Sequence, residues 1–357
     1  MLLHQNGHFK TFVLSRTTDL DQFLIPVLRI LYNTPDRNSH HIYMSLIILL
    51  VLSEDNLFNS IIHDIVRIRF RLFFSSLISH ILQIVRNITW YTERNLTEIS
   101  LGGLIILIIV RTIHFNMSRS RDRFLHTNLC ATLANMSNHF RHLHNFVCQK
   151  MIVLFEKISK KYFKLQQQKM QNGIKDHQIT GASSENTTMA KSEGDTGEQS
   201  STSLCDDLKD ITLFEEVLRT ILEIINTSLT KNMVANPNLI YTLLYNRKKF
   251  EPFLNQPLFQ DIITNIDTIL SYFSQRIDQT LQERQLSVEE IFELIKQASL
   301  NWPKEKMKKF PELMFRYVED DSPEDFFIPY IWSLVYRGSD IYWNSQNILL
   351  FNPVRNL

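Results

Sequence analysis

Apolar residues recur along this chain at steps of three and four, the spacing of one face of an α-helix. Leu125, Leu129, Leu133 and Met136 form such a stripe, with Ala131 and Ala134 leaving room for a close neighbour. After Ser137 and Asn138, which suit a turn or an N-cap, Phe140, Leu143, Val147, Met151, Leu154 and Ile158 give a second stripe. Two adjacent helices, each with an uncovered face, require more helices on either side. The expectation is a stacked helical array that works through its surface rather than a reactive cleft.

Upstream, the pattern predicts a short helix over Phe9 to Ser15, a second over Leu20 to Tyr32 capped by Asp19, and a third opened by Asn38-Ser39 and running to Leu52. Short, medium and long helices in about 45 residues match the rhythm of an armadillo-type unit. A helix follows over Asn56 to Val66. Thr97-Glu98 opens an apolar helix to Ile113, in which Gly102-Gly103 reads as a close contact rather than a break.

From Gln166 to Lys209 large apolar residues nearly vanish among Gln, Ser, Thr and Gly, the composition of a disordered linker and of a phosphorylation target. Order resumes at Ile211. Phe214, Val217, Leu218, Ile221, Leu222 and Ile225 make a helix, and Pro237 opens another carrying Leu239, Leu243 and Leu244. Pro257 starts a long helix with a stripe from Leu258 through Ile277, and Ser287 with Glu290 forms a capping box. Ser322, Pro323, Glu324 and Asp325 start an aromatic helix over Phe326 to Tyr336; the tail, Ile341 to Phe351, is expected to pack on it through Tyr342 and Trp343. The predicted fold class is therefore all-α: an armadillo/HEAT-like helical array (α-solenoid) over 1–165, a disordered internal linker over 166–209, and a C-terminal helical region over 210–357.

Composition agrees. Only 8 Gly and 10 Pro occur in 357 residues, too few turn-formers for a sandwich, barrel or doubly wound sheet. The formal net charge of +1 provides no global field for nucleic acid or an anionic bilayer. Three cysteines, Cys130, Cys148 and Cys205, with no CxxC, fit a reducing compartment. The start of the chain is too polar for a secretory h-region, so the sequons at Asn87, Asn95, Asn116, Asn135, Asn186 and Asn226 read as chance matches. The most apolar windows, Met44 to Leu52 and Leu101 to Val110, fall short of the about 20 residues of a membrane span and read as buried helices.

Candidate chemistry is sparse. His126, His139, His142 and His144 lie near Cys130 and Cys148, but on one helix His144 would stand about 200° from His142, so they cannot converge on one ion. No GxxxxGK[ST], GxGxxG, GxSxG or HExxH motif occurs, and Glu319 to Asp325 reads as a solvated loop ending in a cap. The expectation is a protein that is not an enzyme and takes no cofactor or metal. Two surface features carry hypotheses. Arg121, Asn128 and Asn135, spaced by seven, fall on one helix face, with Asn135 about 200° from Leu133 and away from the apolar stripe. In armadillo folds asparagines of the groove-lining helix pair with the backbone of an extended peptide, so these three are candidate partner-binding residues. Arg67, Arg69 and Arg71, alternating with apolar residues from Val66 to Leu72, are a candidate contact for anionic lipid.

Longer blocks carry a resemblance. Asn38 to Met44, Asn87 to Tyr91, Leu96 to Gly102, Leu125 to Asn128, Leu133 to Ser137, Pro237 to Leu239, Phe259 to Ile262, Lys308 to Leu313 and Glu324 to Tyr336 resemble, in order, the dymeclin family. The resemblance implies a cytosolic helical protein, peripheral at the Golgi apparatus, that supports Golgi organisation and vesicle trafficking and, in vertebrates, skeletal development. It implies protein partners and no enzymatic activity, beside the expectation from charge and from the short apolar windows of no nucleic acid and no transmembrane segment. Residue 2 is Leu where the family begins Met-Gly, so a myristoyl anchor is not carried over, and the chain reads as the family's C-terminal half. Residues 66–85 match nothing in the family pattern and read as a retained intron or species insertion.

Overall fold

The computed structural model describes residues 3, 6–16, 19–34, 39–64, 67–70, 87–88, 90–94, 96, 99–119, 121–180, 198–283, 285–319 and 322–338. They fall into two compact units, 1–316 and 317–357. The first opens with α1 (Gly7–Ser15), α2 (Leu20–Tyr32), α3 (Ser39–Ser53) and α4 (Asn56–Asp64). Asn6 caps α1 by accepting from the Phe9 N–H. Asp19 precedes α2 but makes no side-chain cap; its carboxylate takes Arg16 and Gln22 instead.

The basic alternating segment is extended. Strand β1 (Arg67–Phe70) pairs in parallel with β2 (Asn87–Ile88) and antiparallel with β3 (Ile99–Ser100), giving the order β2-β1-β3. A period of two is a strand pattern, and β3 leads directly into the next helix.

That helix, α5 (Leu101–Ser118), is the centre of the unit. Ser100 caps it, accepting from the Gly103 N–H at 3.1 Å. Leu104 to Ile109 is buried without interruption. A helix apolar all round needs neighbours all round, and α2, α4, α6 (Arg123–Ser137) and α7 (Asn145–Thr180) supply them. Gly102 is where α4 comes close: a Cβ there would lie 2.5 Å from the His63 ring. Among the described residues α5 is the one helix long and apolar enough to cross a membrane, and 78% of its apolar window is buried inside the protein.

Helix α6, capped by Asp122, packs on α3 and α5 and on α8 (Glu198–Asn232). The second stripe starts later than the pattern predicts. Phe140 and Leu143 are buried, but in an irregular connection ahead of α7, whose backbone is held by Asn236, Asn232 and Asn238. Within the expected linker, 166–180 continues α7, where extending a nucleated helix through Gln, Lys and Met costs little, and 198–209 begins α8. Residues 181–197 lie outside the described residues.

Beyond α8 come α9 (Pro237–Tyr245), two 3₁₀ turns (Arg247–Lys249 and Glu251–Phe253), α10 (Gln260–Glu283) and α11 (Val288–Leu300). α10 starts three residues past Pro257. The capping box of Ser287 and Glu290 forms as predicted. α9 packs on α7 and α11, and α10 on α8 and α11. The Arg219 guanidinium of α8 grips the Asp261 carboxylate of α10 through two hydrogen bonds of 2.5 and 2.8 Å. After a 3₁₀ turn at Lys304–Lys306 the chain runs without helix or strand to residue 316. The second unit contains α12 (Pro323–Gly338), with Glu324 and Asp325 in its first turn and Pro329 inside it. The expected packing of Tyr342 and Trp343 lies outside the described residues.

Candidate functional site

Near the end of α6, Asn135 is 0% exposed, although helix geometry alone places it away from the apolar stripe. Covering α6 with α3, α5 and α8 leaves no solvent face at that level. A buried primary amide is costly unless both its donor and its acceptor are satisfied. Asn135 meets the demand with one distant residue. Its Oδ1 accepts from the Phe315 N–H at 2.7 Å and its Nδ2 donates to the Phe315 carbonyl at 2.8 Å. Nδ2 also reaches Ser53 Oγ at 3.1 Å, while Asn59 Nδ2 donates to the Ser53 and Asn135 carbonyls.

The same arrangement recurs on α10. Asn265, 3% exposed, accepts from the Lys308 N–H at 3.0 Å through Oδ1. Its Nδ2 donates to Asn226 Oδ1 at 2.8 Å and to the Lys308 carbonyl at 3.3 Å. Two buried amides thus hold residues 308 and 315 of one extended segment, here called the strap (307–316), by main-chain groups alone. Such pairing reads backbone and ignores side-chain identity.

The strap contributes little side-chain burial. Met307, Phe310 and Leu313 are partly buried against the core, a period of three that matches a polyproline II repeat and fits Pro311. Lys308, Lys309, Pro311, Glu312, Met314, Phe315 and Arg316 are exposed. Glu312 pairs with Lys231 of α8, which holds its carboxyl below the usual range. Between the strap and the end of α8 is a cleft of about 560 Å³, lined among others by Asn138, Asn226, Met233, Trp302 and Phe310. The Trp302 indole N–H and the Asn138 Oδ1 have no hydrogen-bonding partner.

The predicted face over Arg121, Asn128 and Asn135 does not form as one set. Arg121 precedes α6, has a φ of 50° and pairs with Asp210. Asn128 is half-buried and returns its Nδ2 to the Phe124 carbonyl of its own helix at 2.7 Å. Asn135 alone holds an extended backbone. Asn265, which the sequence reading omitted, does the same; its signal was an Asn flanked by Ile262, Ile263, Ile266 and Ile269, all buried. Arg67 and Arg69 are in β1, and Arg71 lies outside the described residues.

The histidines and cysteines are dispersed. His126 Nδ1 lies 2.7 Å from the Asp122 carbonyl, His144 Nδ1 accepts from the Phe146 N–H, and His142 is exposed at a φ of 51°. Among the described residues no group of three or more His, Cys, Asp or Glu could hold a metal ion. Burial pushes the Cys130 and Cys148 thiols up to about 12, far from a reactive thiolate at neutral pH.

Comparison with known proteins adds the family. The description "Dymeclin: Dyggve-Melchior-Clausen syndrome protein" matches residues 1–334. The chain belongs to the Dymeclin family. It is 47% identical over 352 residues to Dymeclin of Gallus gallus, covering 98% of this chain and 46% of that protein. Against Dymeclin of Mus musculus the identity is 48% over 351 residues, again 98% of this chain and 46% of the relative. Dymeclin of Dictyostelium discoideum is 32% identical over 408 residues, 99% of this chain and 41% of the relative. The chain spans about half the length of the Dymeclin relatives it matches. No solved structure matches it. Both amide clamps and the strap fall within the stretch matched to the Dymeclin family.

Proposed function

We propose that this Dymeclin-family chain is part of a non-enzymatic helical scaffold that supports Golgi organisation and vesicle trafficking by binding other proteins. In this reading its helices form an armadillo/HEAT-like α-solenoid, and the protein works in the cytoplasm, peripheral at the Golgi apparatus. One observation carries the protein-binding part: a groove that holds an extended backbone through Asn135 and Asn265 is suited to peptide recognition. Proximity labelling from the tagged chain tests the proposal; enrichment of Golgi and vesicle-coat proteins is expected, and a labelled set without them would overturn it.

A second reading assigns Arg67, Arg69 and Arg71 to anionic lipid, on the alternation of base and apolar residue in that segment. Flotation with anionic liposomes, with and without residues 66–85, separates the two: loss of flotation on deletion favours lipid contact.

A further inference from the structure

A groove occupied by the protein's own chain can be a structural joint or a binding site with its occupant built in. The difference shows in what the occupant buries. Asn236 uses the same amide device on the connection between α6 and α7, donating to the Phe140 carbonyl at 2.6 Å and accepting from the Leu143 N–H at 3.3 Å. There Phe140 and Leu143 are themselves fully buried, so the amide satisfies the backbone of a segment the core already requires. The strap is different. None of its side chains is fully buried, Phe315 is 40% exposed at the very residue Asn135 holds, and Lys308 is exposed at the residue Asn265 holds. Two buried amides thus hold a segment whose apolar residues, Met307, Phe310 and Leu313, are only partly buried.

The groove is also underfilled. Met307 to Glu312 of the strap form one wall of the 560 Å³ cleft and leave its volume open. Lys231 adds a cation beside the position of Glu312.

We infer that this groove is a binding site for an extended peptide of a partner protein, and that the strap, residues 307–316, is its intramolecular occupant and competitor. The inference rests on the protein-binding reading above and specifies the partner. Its peptide has an apolar residue at every third position, as at Met307, Phe310 and Leu313, and an acid facing Lys231. Recognition is by main chain at the two clamped positions, so side chains there are free to vary. A tethered occupant acts at an effective concentration of about millimolar, and it lowers apparent partner affinity by the fraction of time the groove is open. Release of the strap would therefore switch the site on.

The test uses the full chain with residues 307–316 replaced by an equal length of Gly and Ser, and a fluorescent peptide of sequence 304–319. Anisotropy should show the peptide binding the strap-replaced chain at least about tenfold more tightly than the intact chain. Asn135→Ala or Asn265→Ala in the strap-replaced chain should weaken it about tenfold each, the effect of losing two hydrogen bonds. A scrambled peptide should not bind. Equal binding to intact and strap-replaced chains, or indifference to both Asn substitutions, overturns the inference. So does a strap-replaced chain that keeps its helical dichroism and cooperative melt yet ignores the peptide, or one that no longer folds, since the strap would then be part of the core. Binding seen only in mixed dimers with the intact chain would assign the groove to a second copy and overturn the separate partner. If peptide binding fails while proximity labelling still returns Golgi proteins, only this inference falls.

Discussion

Helices α5 and α6 and the strap lie in the same compact unit and are held by opposite means. The helices satisfy their own backbone and are fixed by side chains: Leu104 to Ile109 and Leu129 to Met136 are buried on every side. The strap has no internal hydrogen-bonded structure and is fixed by its backbone, at Lys308 and Phe315, while most of its side chains are exposed and Met307, Phe310 and Leu313 are only partly buried. Apolar packing is cooperative and resists local opening. Two clamped residues at an exposed surface open locally, at a free-energy cost well below that of global unfolding.

The comparison breaks most visibly in the core. Leu129→Ala, at a fully buried position of α6, is expected to cost about 2–5 kcal/mol and to move the urea midpoint of the whole first unit. A variant that loosened only the strap would deny the core its role. Next in size is a pH effect centred on His63, which is buried against Gly102 and Phe140 with neither ring nitrogen paired. Desolvation first, then Arg141, His139 and His142, push its pKa down to about 3. The unfolded chain binds that proton near pH 6.5 and the folded chain does not, so stability is present above 6.5 and falls as pH drops toward 3. The slope contributed is about 1.4 kcal/mol per pH unit, and His63→Leu should flatten the profile of urea midpoint against pH.

Asn135→Ala comes third, at about 1–3 kcal/mol, because it deletes both bonds to Phe315 and one to Ser53. Its signature is local: trypsin should cut at Lys308, Lys309 or Arg316 about tenfold faster, with little change in cleavage elsewhere. Smallest is Phe315→Ala. Asn135 holds that residue by its main chain, so the loss should stay under about 0.5 kcal/mol in the same urea titration. A larger effect would mean that the strap is read by its side chains after all.

Much of the helical layout was legible. The stripes at three and four, the capping box at Ser287 and Glu290 and the close approach at Gly102 are all local consequences of residue type and spacing; the cap at Ser100 was missed, since Thr97-Glu98 read as the opening of that helix. The site was legible only in fragments. Asn135 was singled out on the premise of a solvent-facing surface, whereas it is buried and holds the backbone of its own chain, and it was grouped with Arg121 and Asn128, which hold Asp210 and the Phe124 carbonyl. Phe140 and Leu143 carried the helical period into a connection that is not helical, since burial and periodicity coincide there without a helix.

By itself the sequence determined most of the segments that are helices and that they must cover one another; each of these follows from contacts within a few residues or from the apolar area one face exposes. It also determined membership of the family. Only the tertiary structure decided how many faces of each helix are covered, and hence that Asn135 and Asn265 lie inside. Their hydrogen-bonding demands then fall on backbone groups 180 and 43 residues away, a pairing no local pattern encodes.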